Sequence, residues 1–282
     1  MANICVNTTL LNVNYDNLSF ITRVVTYVII GISLPLTLMA IYALYSQVKN
    51  GQVAPIYIIN LFISDLIQLC CLIALETEPE EEMIQKIVGH TYRCGVFTSV
   101  CFMVCISLER YLVIAHPLWY RFRRTIRISV AVCVVVWIIS LVLIFTVFLW
   151  VTKFVLDIIL TIFLIIPFPL FIFFLVGTLR ALSTSVSVPS GEKRRIVAIL
   201  VLVLLSYTLL FLPTIILLTD RRYGDILCLP SRVSLKLSPL ADLLLYVFIK
   251  KETFGKLWTS VCCCRKENND TNNTNTISLD HM

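Results

Sequence analysis

Long apolar stretches separated by short polar segments make up most of the chain. A helix needs roughly 20 mainly apolar residues to cross a bilayer, so each stretch predicts one membrane-spanning helix. Residues 128–179 are too many for a single crossing, and we expect the chain to turn back at residues 151–154. The pattern predicts seven spans, at about residues 20–48, 54–75, 87–114, 128–150, 155–180, 194–219 and 231–249.

The composition supports this interpretation. Of the 282 residues, 59% are hydrophobic and only 14% are charged, and the mean hydropathy is +0.91. These values exclude an ordinary water-soluble enzyme and a disordered chain, because both carry far more charge. The predicted fold class is all-α, a seven-transmembrane helix bundle.

The chain divides into three predicted parts. Residues 1–19 are expected to form an extracellular N-terminal tail, residues 20–261 the seven-transmembrane domain, and residues 262–282 a disordered cytosolic tail. Residues 254–258, Phe-Gly-Lys-Leu-Trp, follow the last span. Their pattern is typical of a short amphipathic eighth helix on the inner membrane surface.

The distribution of Lys and Arg predicts the orientation. With the N-terminus outside, about twice as many of these residues lie in the inner segments as in the outer ones, which is the positive-inside arrangement of a multi-pass cell-membrane protein. The net charge of +6 therefore does not indicate a nucleic-acid partner.

This orientation also identifies candidate modification sites. The sequons at Asn7 and Asn17 then lie outside, where they are glycosylation acceptors. The cytosolic cysteines Cys262, Cys263 and Cys264 are candidates for palmitoylation. Metal binding is the alternative for these cysteines, but no further metal ligands lie near them in the sequence.

Several ionisable residues fall inside the predicted spans, where charge is costly and therefore marks candidate functional sites. Asp65 lies midway through span two and Glu109-Arg110 lies at the end of span three. Lys236 and Asp242 both fall in span seven. A structural ion pair or a side chain that reaches the membrane surface is the alternative interpretation for each of them.

The motifs around these residues resemble those of the rhodopsin-like (class A) G protein-coupled receptors, over roughly residues 20–260. Their order and depth match that family better than any single motif does. Some pieces are most similar to the branch that holds nucleotide, proton-sensing and lysolipid receptors. The matching segments are Asn60-Leu61-Phe62-Ile63-Ser64-Asp65, Glu109-Arg110-Tyr111 with Ile114-Ala115-His116-Pro117-Leu118, Trp137, Phe211-Leu212-Pro213 and residues 238–246.

The resemblance implies a switch that couples the receptor to a heterotrimeric G protein. In the family, the arginine of the span-three triplet is held by the neighbouring acid at rest and released when span six swings outward. Glu109 and Arg110 match those positions, and Tyr111 and Tyr246 complete the expected coupling residues. A guanidinium paired at the inner membrane surface can provide two distinct states. No enzymatic activity is expected.

The resemblance also implies a polar site in mid-membrane. Asp65, Ser99, Ser238 and Asp242 match positions that surround a sodium ion in resting receptors, and oxygen ligands suit a hard cation. Without sodium, two neighbouring carboxylates in a low dielectric cannot both ionise easily, so one would keep a proton. Activation could then depend on pH or sodium; a structural polar cluster is the alternative. No other cofactor is expected.

The ligand pocket is predicted in the outer half of the bundle. Carried over from the family, Tyr92, Arg93 and Val96 on span three would face Lys236 on span seven. Two cations would attract an extracellular carboxylate or phosphate ligand. The alternative is that Glu76 or a neighbouring glutamate neutralises Lys236. Lys236 also matches the retinal-binding lysine of opsins, but the other motifs are unlike opsins.

Span six contains a predicted kink. Pro213 interrupts the helical hydrogen bonds, and Phe211, two residues earlier, is the expected rotamer switch that borders the pocket. A packed core aromatic is the alternative for Phe211.

Three positions depart from the family pattern. Gln85 stands where the family has a cysteine linked to the second outer loop, which leaves Cys5 and Cys228 as the expected outer disulfide pair. Leu243 replaces the proline of the span-seven motif and Thr37 replaces the usual asparagine of span one. A non-signalling receptor-like binding or scaffold protein is therefore the alternative function. A transporter is disfavoured, because no inverted repeat is visible.

Overall fold

The computed structural model describes residues 12–49, 55–77, 81–116, 126–150, 153–184, 190–219 and 224–247. Residues up to Leu245 belong to one compact unit, and the packing described below lies within that unit. The helices are, in chain order, α1 (Asn12–Lys49), α2 (Pro55–Glu76), α3 (Glu82–Ala115), α4 (Ile126–Trp150), α5 (Lys153–Ile165), α6 (Pro167–Thr184), α7 (Ser190–Thr219), α8 (Gly224–Lys236) and α9 (Ser238–Val247).

The described residues contain six helical segments that are long and apolar enough to cross a membrane. They coincide with the first six predicted spans, so the prediction of an all-α transmembrane bundle is confirmed. The seventh predicted span, at residues 231–249, contains the last six residues of α8 and the shorter apolar helix α9. The six segments are Phe20–Ser46, Ile56–Glu76, Glu82–Ala115, Ile126–Leu143, Ile158–Ser183 and Ile196–Thr219.

A proline explains why the seventh span is divided into two helices. Pro239 has no N–H and cannot bond to the carbonyl one turn earlier. Leu237 therefore lies in a turn, and its carbonyl accepts hydrogen bonds from the N–H groups of Leu240 and Ala241, each at 3.0 Å. Helix α9 begins at Ser238, so Pro239 occupies the first turn, where a helix tolerates proline.

Span five is interrupted in the same way. Helix α5 ends one residue before Ile166, whose N–H donates to the Ile162 carbonyl at 3.2 Å, and α6 begins at Pro167. The expected turn between spans four and five agrees with the helix ends, because α4 ends at Trp150 and α5 begins at Lys153.

Helix α1 is longer than a single crossing requires. It has 38 residues, which corresponds to about 57 Å at 1.5 Å per residue, against a hydrocarbon core of roughly 30 Å. It begins at Asn12, inside the segment predicted as the N-terminal tail. Its apolar part, Phe20–Ser46, agrees with the predicted first span.

Several sequence-based predictions fall where the structure describes no side chain. Cys5, Asn7 and the cysteines at 262–264 lie outside the described residues, as does the predicted eighth helix. Asn17 lies in α1 and Cys228 in α8, but their side chains are not described. The disulfide, glycosylation and palmitoylation sites therefore stay predictions.

The helices differ in how much of their surface other helices cover. In its most apolar window α2 is 50% buried, whereas α4 is only 17% buried, so α2 is central and α4 peripheral. The exposed apolar surface of α4 suits contact with lipid, which is as apolar as the side chains themselves. The exposed apolar residues of α4 include Val134, Val135, Ile138, Ile139, Leu141 and Val142.

Helices α2 and α3 approach closely at a glycine. A Cβ atom at Gly95 would lie 2.7 Å from Cγ of Gln68 and 3.3 Å from the carbonyl oxygen of Ser64. Small residues allow this kind of close helix contact in membranes. One turn along α3, the Thr98 hydroxyl donates to the Ser140 hydroxyl of α4 at 2.9 Å. Helix α3 is thus joined to a neighbour on each side.

Replacing Gly95 with alanine is expected to destabilise the bundle by about 1–3 kcal/mol, because the added methyl group has no room between α2 and α3. Gly89 on the same helix is the matched control, since a Cβ there meets no atom within 4 Å. Thermal unfolding in detergent micelles should give a lower midpoint for Gly95→Ala than for Gly89→Ala. Equal midpoints would contradict the close approach at Gly95.

Candidate functional site

Three of the four predicted coupling residues lie near the C-terminal end of α3: Glu109, Arg110 and Tyr111. Glu109 is only 6% exposed, and Arg110 is half-buried. The Nε atom of Arg110 is buried and has no hydrogen-bond partner among the described residues. Helix α3 ends one turn later, where the N–H of His116 donates to the Leu112 carbonyl at 3.1 Å. The guanidinium is therefore partly covered by protein at this end of the helix.

Tyr111 packs against α6 rather than projecting away from the bundle. Its ring centroid lies 5.7 Å from that of Phe173 and 5.8 Å from that of Phe174. A Cβ atom at Gly177 would lie only 2.6 Å from Cε2 of Tyr111. The glycine thus provides the space that the tyrosine ring fills. Tyr246, the other predicted coupling residue, lies in α9.

The two mid-membrane aspartates meet although they are far apart in sequence. Asp65 on α2 is 0% exposed and Asp242 on α9 is 2% exposed. Their carboxyl groups lie close enough to interact electrostatically. The Gln68 amide donates to Oδ1 of Asp65 at 3.2 Å. The structure therefore brings together the two carboxylates that the sequence placed in separate spans.

The two predicted serine ligands are also buried. Ser99 and Ser238 are both 0% exposed. The Ser99 hydroxyl donates to the Val96 carbonyl of its own helix at 3.0 Å, which leaves its lone pairs as acceptors. Ser238 Oγ has no hydrogen-bond partner among the described residues.

Several buried oxygens around the aspartates lack a donor among the described residues. Buried polar atoms normally have a partner, so this group calls for a proton, water molecules or a cation. Carboxylate, hydroxyl and amide oxygens are suitable ligands for a hard cation, so the residues present fit sodium. The atoms are Oδ2 of Asp65, Oε1 of Gln68, Oγ of Ser238 and Oδ2 of Asp242.

In the outer half of the bundle, the structure decides between the two interpretations of Lys236. Its Nζ lies 2.9 Å from Oε1 of Glu76 and donates to the Thr26 hydroxyl at 2.8 Å. The side chains of Lys236 and Glu76 are only 18% and 12% exposed. Lys236 is thus neutralised by Glu76, as the alternative interpretation held, and is not an unpaired cation.

The predicted pocket residues of α3 lie in one stretch of that helix. Arg93 Nη1 is 3.4 Å from His90 Nδ1, one turn earlier. Val96 is buried, and the Tyr92 hydroxyl is buried without a hydrogen-bond partner among the described residues. A buried hydroxyl of this kind can bond to a polar group that enters the bundle.

Phe211 belongs to an aromatic cluster centred on Tyr207. Both side chains are 0% exposed, and their ring centroids are 4.7 Å apart. The Tyr207 ring also meets Phe168 at 4.9 Å and Phe171 at 5.1 Å, edge to face. Its hydroxyl donates to the Leu164 carbonyl at 2.7 Å. Tyr207 therefore connects α7 to both halves of the interrupted span five.

The Leu164 carbonyl needs such a partner because of its position. It lies in the last turn of α5, where carbonyl groups lose their intrahelical donors. Pro167, three residues later, has no N–H and cannot give this carbonyl the tighter bond that often closes the last turn of a helix. Sequence analysis missed Tyr207, because a tyrosine within an apolar span reads as ordinary core.

The structure also joins two motif residues whose roles the sequence left open. The indole N–H of Trp137 on α4 donates to the side-chain oxygen of Asn60 on α2 at 3.0 Å. The Asn60 amide in turn donates to the Ile56 carbonyl at 2.9 Å. These residues are 77 positions apart, so periodicity could not pair them.

Comparison with known proteins agrees with this architecture. The family model described as "7 transmembrane receptor (rhodopsin family)" matches residues 36–157. This range contains Asp65, Glu109 and Arg110, and it ends before Lys236 and Asp242. Residues 36–157 match the rhodopsin family of receptors, and the resemblance seen in the motifs of this segment is confirmed.

Individual relatives support the same class. The chain is 25% identical to G-protein coupled receptor 68 of Bos taurus over 147 residues, which cover 49% of the chain and 41% of that receptor. It is 29% identical to the Homo sapiens receptor of the same name over 120 residues (40% and 32%). It is also 29% identical to the type-1 angiotensin II receptor of Oryctolagus cuniculus over 109 residues (36% and 30%).

These matches define the level at which the chain is identified. The matched segment spans about a third to two fifths of the length of these relatives. The chain is a multi-pass membrane protein that is similar to receptors of this family, and the members of that family are not enzymes.

Replacing Tyr207 with phenylalanine is expected to lower the free energy of unfolding by about 1 kcal/mol, because the ring contacts remain but the interhelical hydrogen bond is lost. Thr208→Val is the matched control, since the Thr208 hydroxyl bonds to the Leu204 carbonyl of its own helix, at 2.7 Å. Thermal unfolding should show the larger loss for Tyr207→Phe. A larger loss for Thr208→Val would contradict the connecting role of Tyr207.

Proposed function

We propose that the chain is a class A G protein-coupled receptor of the cell membrane, with its N-terminus outside. It binds an extracellular ligand and activates a heterotrimeric G protein. The observation that carries this proposal is the receptor-family match over residues 36–157, which contains Glu109-Arg110-Tyr111 at the end of α3. It acts through protein and lipid partners and not through nucleic acid.

The coupling step depends on Arg110. Its half-buried guanidinium is the group that an opening of the inner face would expose to the G protein. Helix α7 supports such a motion, because Pro213 lies inside it and weakens its hydrogen-bond ladder. The ring of Tyr111 packs against α6 in the space that Gly177 leaves. This contact keeps the neighbouring arginine at a defined depth in the bundle.

The ligand is proposed to be small and anionic, and to bind in the outer half of the bundle. Arg93 and the buried hydroxyl of Tyr92 supply a charge and a hydrogen bond on α3. Val96 and Phe211 supply apolar surface on α3 and α7. Lys236 is the second cation, but an anion must compete with Glu76 for it.

The mid-membrane carboxylates are proposed to link activation to sodium or protons. A cation between Asp65 and Asp242, with Ser99 and Ser238 as further oxygen ligands, would stabilise the arrangement in which α2 and α9 are joined. Loss of the cation would leave two carboxylates in a low dielectric, where one of them must take up a proton.

A receptor-like protein that binds but does not signal is the second candidate. Three departures from the family pattern favour it: Gln85 in place of the span-three cysteine, Leu243 in place of the span-seven proline and Thr37 in place of the span-one asparagine. Such a protein would keep the bundle and lose the coupling step.

Arg110→Ala is expected to reduce basal G protein activation to the level of cells that lack the receptor, because the charge that an open inner face would present to the G protein is lost. Arg127→Ala is the matched control, since Arg127 is an exposed arginine at the start of α4. Activation should be recorded at equal surface expression across pH and panels of lipids, nucleotides and peptides. Equal output from wild type and Arg110→Ala under all conditions would favour the non-signalling candidate.

Asp65→Asn is expected to abolish stabilisation by sodium. At a sodium concentration ten times the Kd, binding should raise the wild-type free energy of unfolding by about 1.4 kcal/mol. The measurement is the thermal midpoint in sodium chloride against choline chloride at equal ionic strength. Glu82→Gln is the control, because Glu82 is an exposed carboxylate at the start of α3. Sodium dependence that persists in Asp65→Asn would exclude this cation site.

A further inference from the structure

In the outer half of the bundle, the side chain of Lys236 joins three helices through one ion pair and one hydrogen bond. Lys236 of α8 donates to Oε1 of Glu76 on α2 at 2.9 Å and to the Thr26 hydroxyl of α1 at 2.8 Å. The partners are 160 and 210 residues away in sequence. We call Thr26, Glu76 and Lys236 the outer clasp.

The outer clasp differs from an ordinary surface ion pair. Lys86 and Glu82 form such a pair on α3, at 3.2 Å, with side chains that are 65% and 86% exposed. Water screens that pair, so it contributes little. The charges of the outer clasp are 18% and 12% exposed, and removal of one leaves the other largely uncompensated.

The two partners of Lys236 have different roles. The Thr26 hydroxyl donates its proton to the Thr22 carbonyl at 2.6 Å, so its oxygen faces Lys236 as a fixed acceptor. Glu76 is the last residue of α2, where the helix ends. A movement of its side chain can therefore take the carboxylate away from Lys236 while α2 stays intact. Thr26 meanwhile keeps the ammonium group in place.

We propose that Glu76 is a built-in counter-anion, and that the position of its carboxylate is a binding position for the carboxylate or phosphate group of the ligand. The ligand gains Lys236 by displacing Glu76. A lysine ammonium group can bind either anion, because it acts as a point charge with three hydrogen-bond donors. This inference rests on the proposed receptor function for its role and specifies the regulation of that pocket.

Displacement would also change how the helices are tied. With Glu76 in place, α2 and α8 are joined through Lys236. With an external anion in its place, α8 keeps its bond to α1 through Thr26 and loses its bond to α2. These are two discrete arrangements of the same helices, which is what a ligand needs in order to shift an equilibrium. Glu76 thus sets both the affinity for anions and the resting connection.

Chemical rescue tests the anion position without knowledge of the natural ligand. Glu76→Ala in the full chain, in lipid nanodiscs, removes the carboxylate and leaves Lys236 unpaired. Sodium acetate should then raise its thermal midpoint in a saturable way, relative to sodium chloride at equal ionic strength. Wild type should show no such rise, because Glu76 already occupies the position. No rise in Glu76→Ala beyond that of wild type would overturn the proposal.

The double variant Glu76→Ala/Lys236→Met separates Lys236 from other cations. It should lose the acetate effect entirely, since the ammonium group is absent. An acetate effect of undiminished size in the double variant would place the anion elsewhere, for example at Arg93, and would also overturn the proposal.

Lysine labelling provides a second test if Glu76→Ala does not fold. Glu76→Gln keeps the shape of the side chain and removes its charge. Pyridoxal phosphate carries a phosphate and an aldehyde that reacts with lysine, and borohydride fixes the adduct for mass spectrometry. Labelling of Lys236 relative to the exposed Lys49 should rise about tenfold in Glu76→Gln, since a largely covered counter-ion no longer competes. Glu82→Gln, with the same change in net charge, should leave Lys236 labelling unchanged.

Unchanged Lys236 labelling in Glu76→Gln would contradict the counter-anion role. Neither test needs a G protein, so both can succeed even if Arg110→Ala shows that the chain does not signal. Conversely, a chain that signals through Arg110 but shows neither acetate rescue nor increased labelling keeps the receptor function and loses this inference.

Discussion

The structure depends on one constraint: inside a bilayer, polar groups must find their partners within the protein. Water is absent from the hydrocarbon core, and an unpartnered polar group there costs several kcal/mol. Several polar groups of the described spans meet this requirement with contacts between helices that are distant in sequence. Lys236 reaches Glu76 and Thr26, and Trp137 reaches Asn60. Each contact fixes the relative position of two helices, so the polar residues specify the packing of an otherwise uniform apolar surface.

The interrupted helices follow from the same constraint. Pro167 and Pro239 remove backbone donors inside two spans, and the bundle tolerates them because other groups take over. At the first break the Tyr207 hydroxyl bonds to the Leu164 carbonyl, and at the second the chain forms a turn centred on Leu237. The second break lies between Lys236 and Asp242. The lysine of the outer clasp and the carboxylate of the mid-membrane pair therefore belong to different helices.

The polar groups occupy three levels of the bundle. The outer clasp lies at the end of α2, the carboxylate pair of Asp65 and Asp242 lies at mid-depth, and Arg110 lies near the end of α3. Helix α2 contributes to the first two levels, and it also contacts α3 closely at Gly95. A change at the outer clasp therefore acts directly on the helix that carries Asp65. The close approach at Gly95 then joins α2 to α3, the helix that carries Arg110 near its end.

The sequence alone determined the fold class, because roughly 20 apolar residues can cross a bilayer only as a helix. It also indicated the receptor family that residues 36–157 match, because the motifs occur in order along the spans. It also identified Asp65, Arg110, Lys236 and Asp242, since charge inside an apolar span stands out without any structure. The sequence did not determine the hydrogen-bond and ion-pair partners of these residues. The sequence could not choose between Lys236 as an open cation and Lys236 neutralised by Glu76, and it did not suggest Thr26 or Tyr207. Only the tertiary structure decided these points, because a hydrogen bond between helices depends on their rotation and depth, which result from packing of the whole bundle and leave no local signal in the chain.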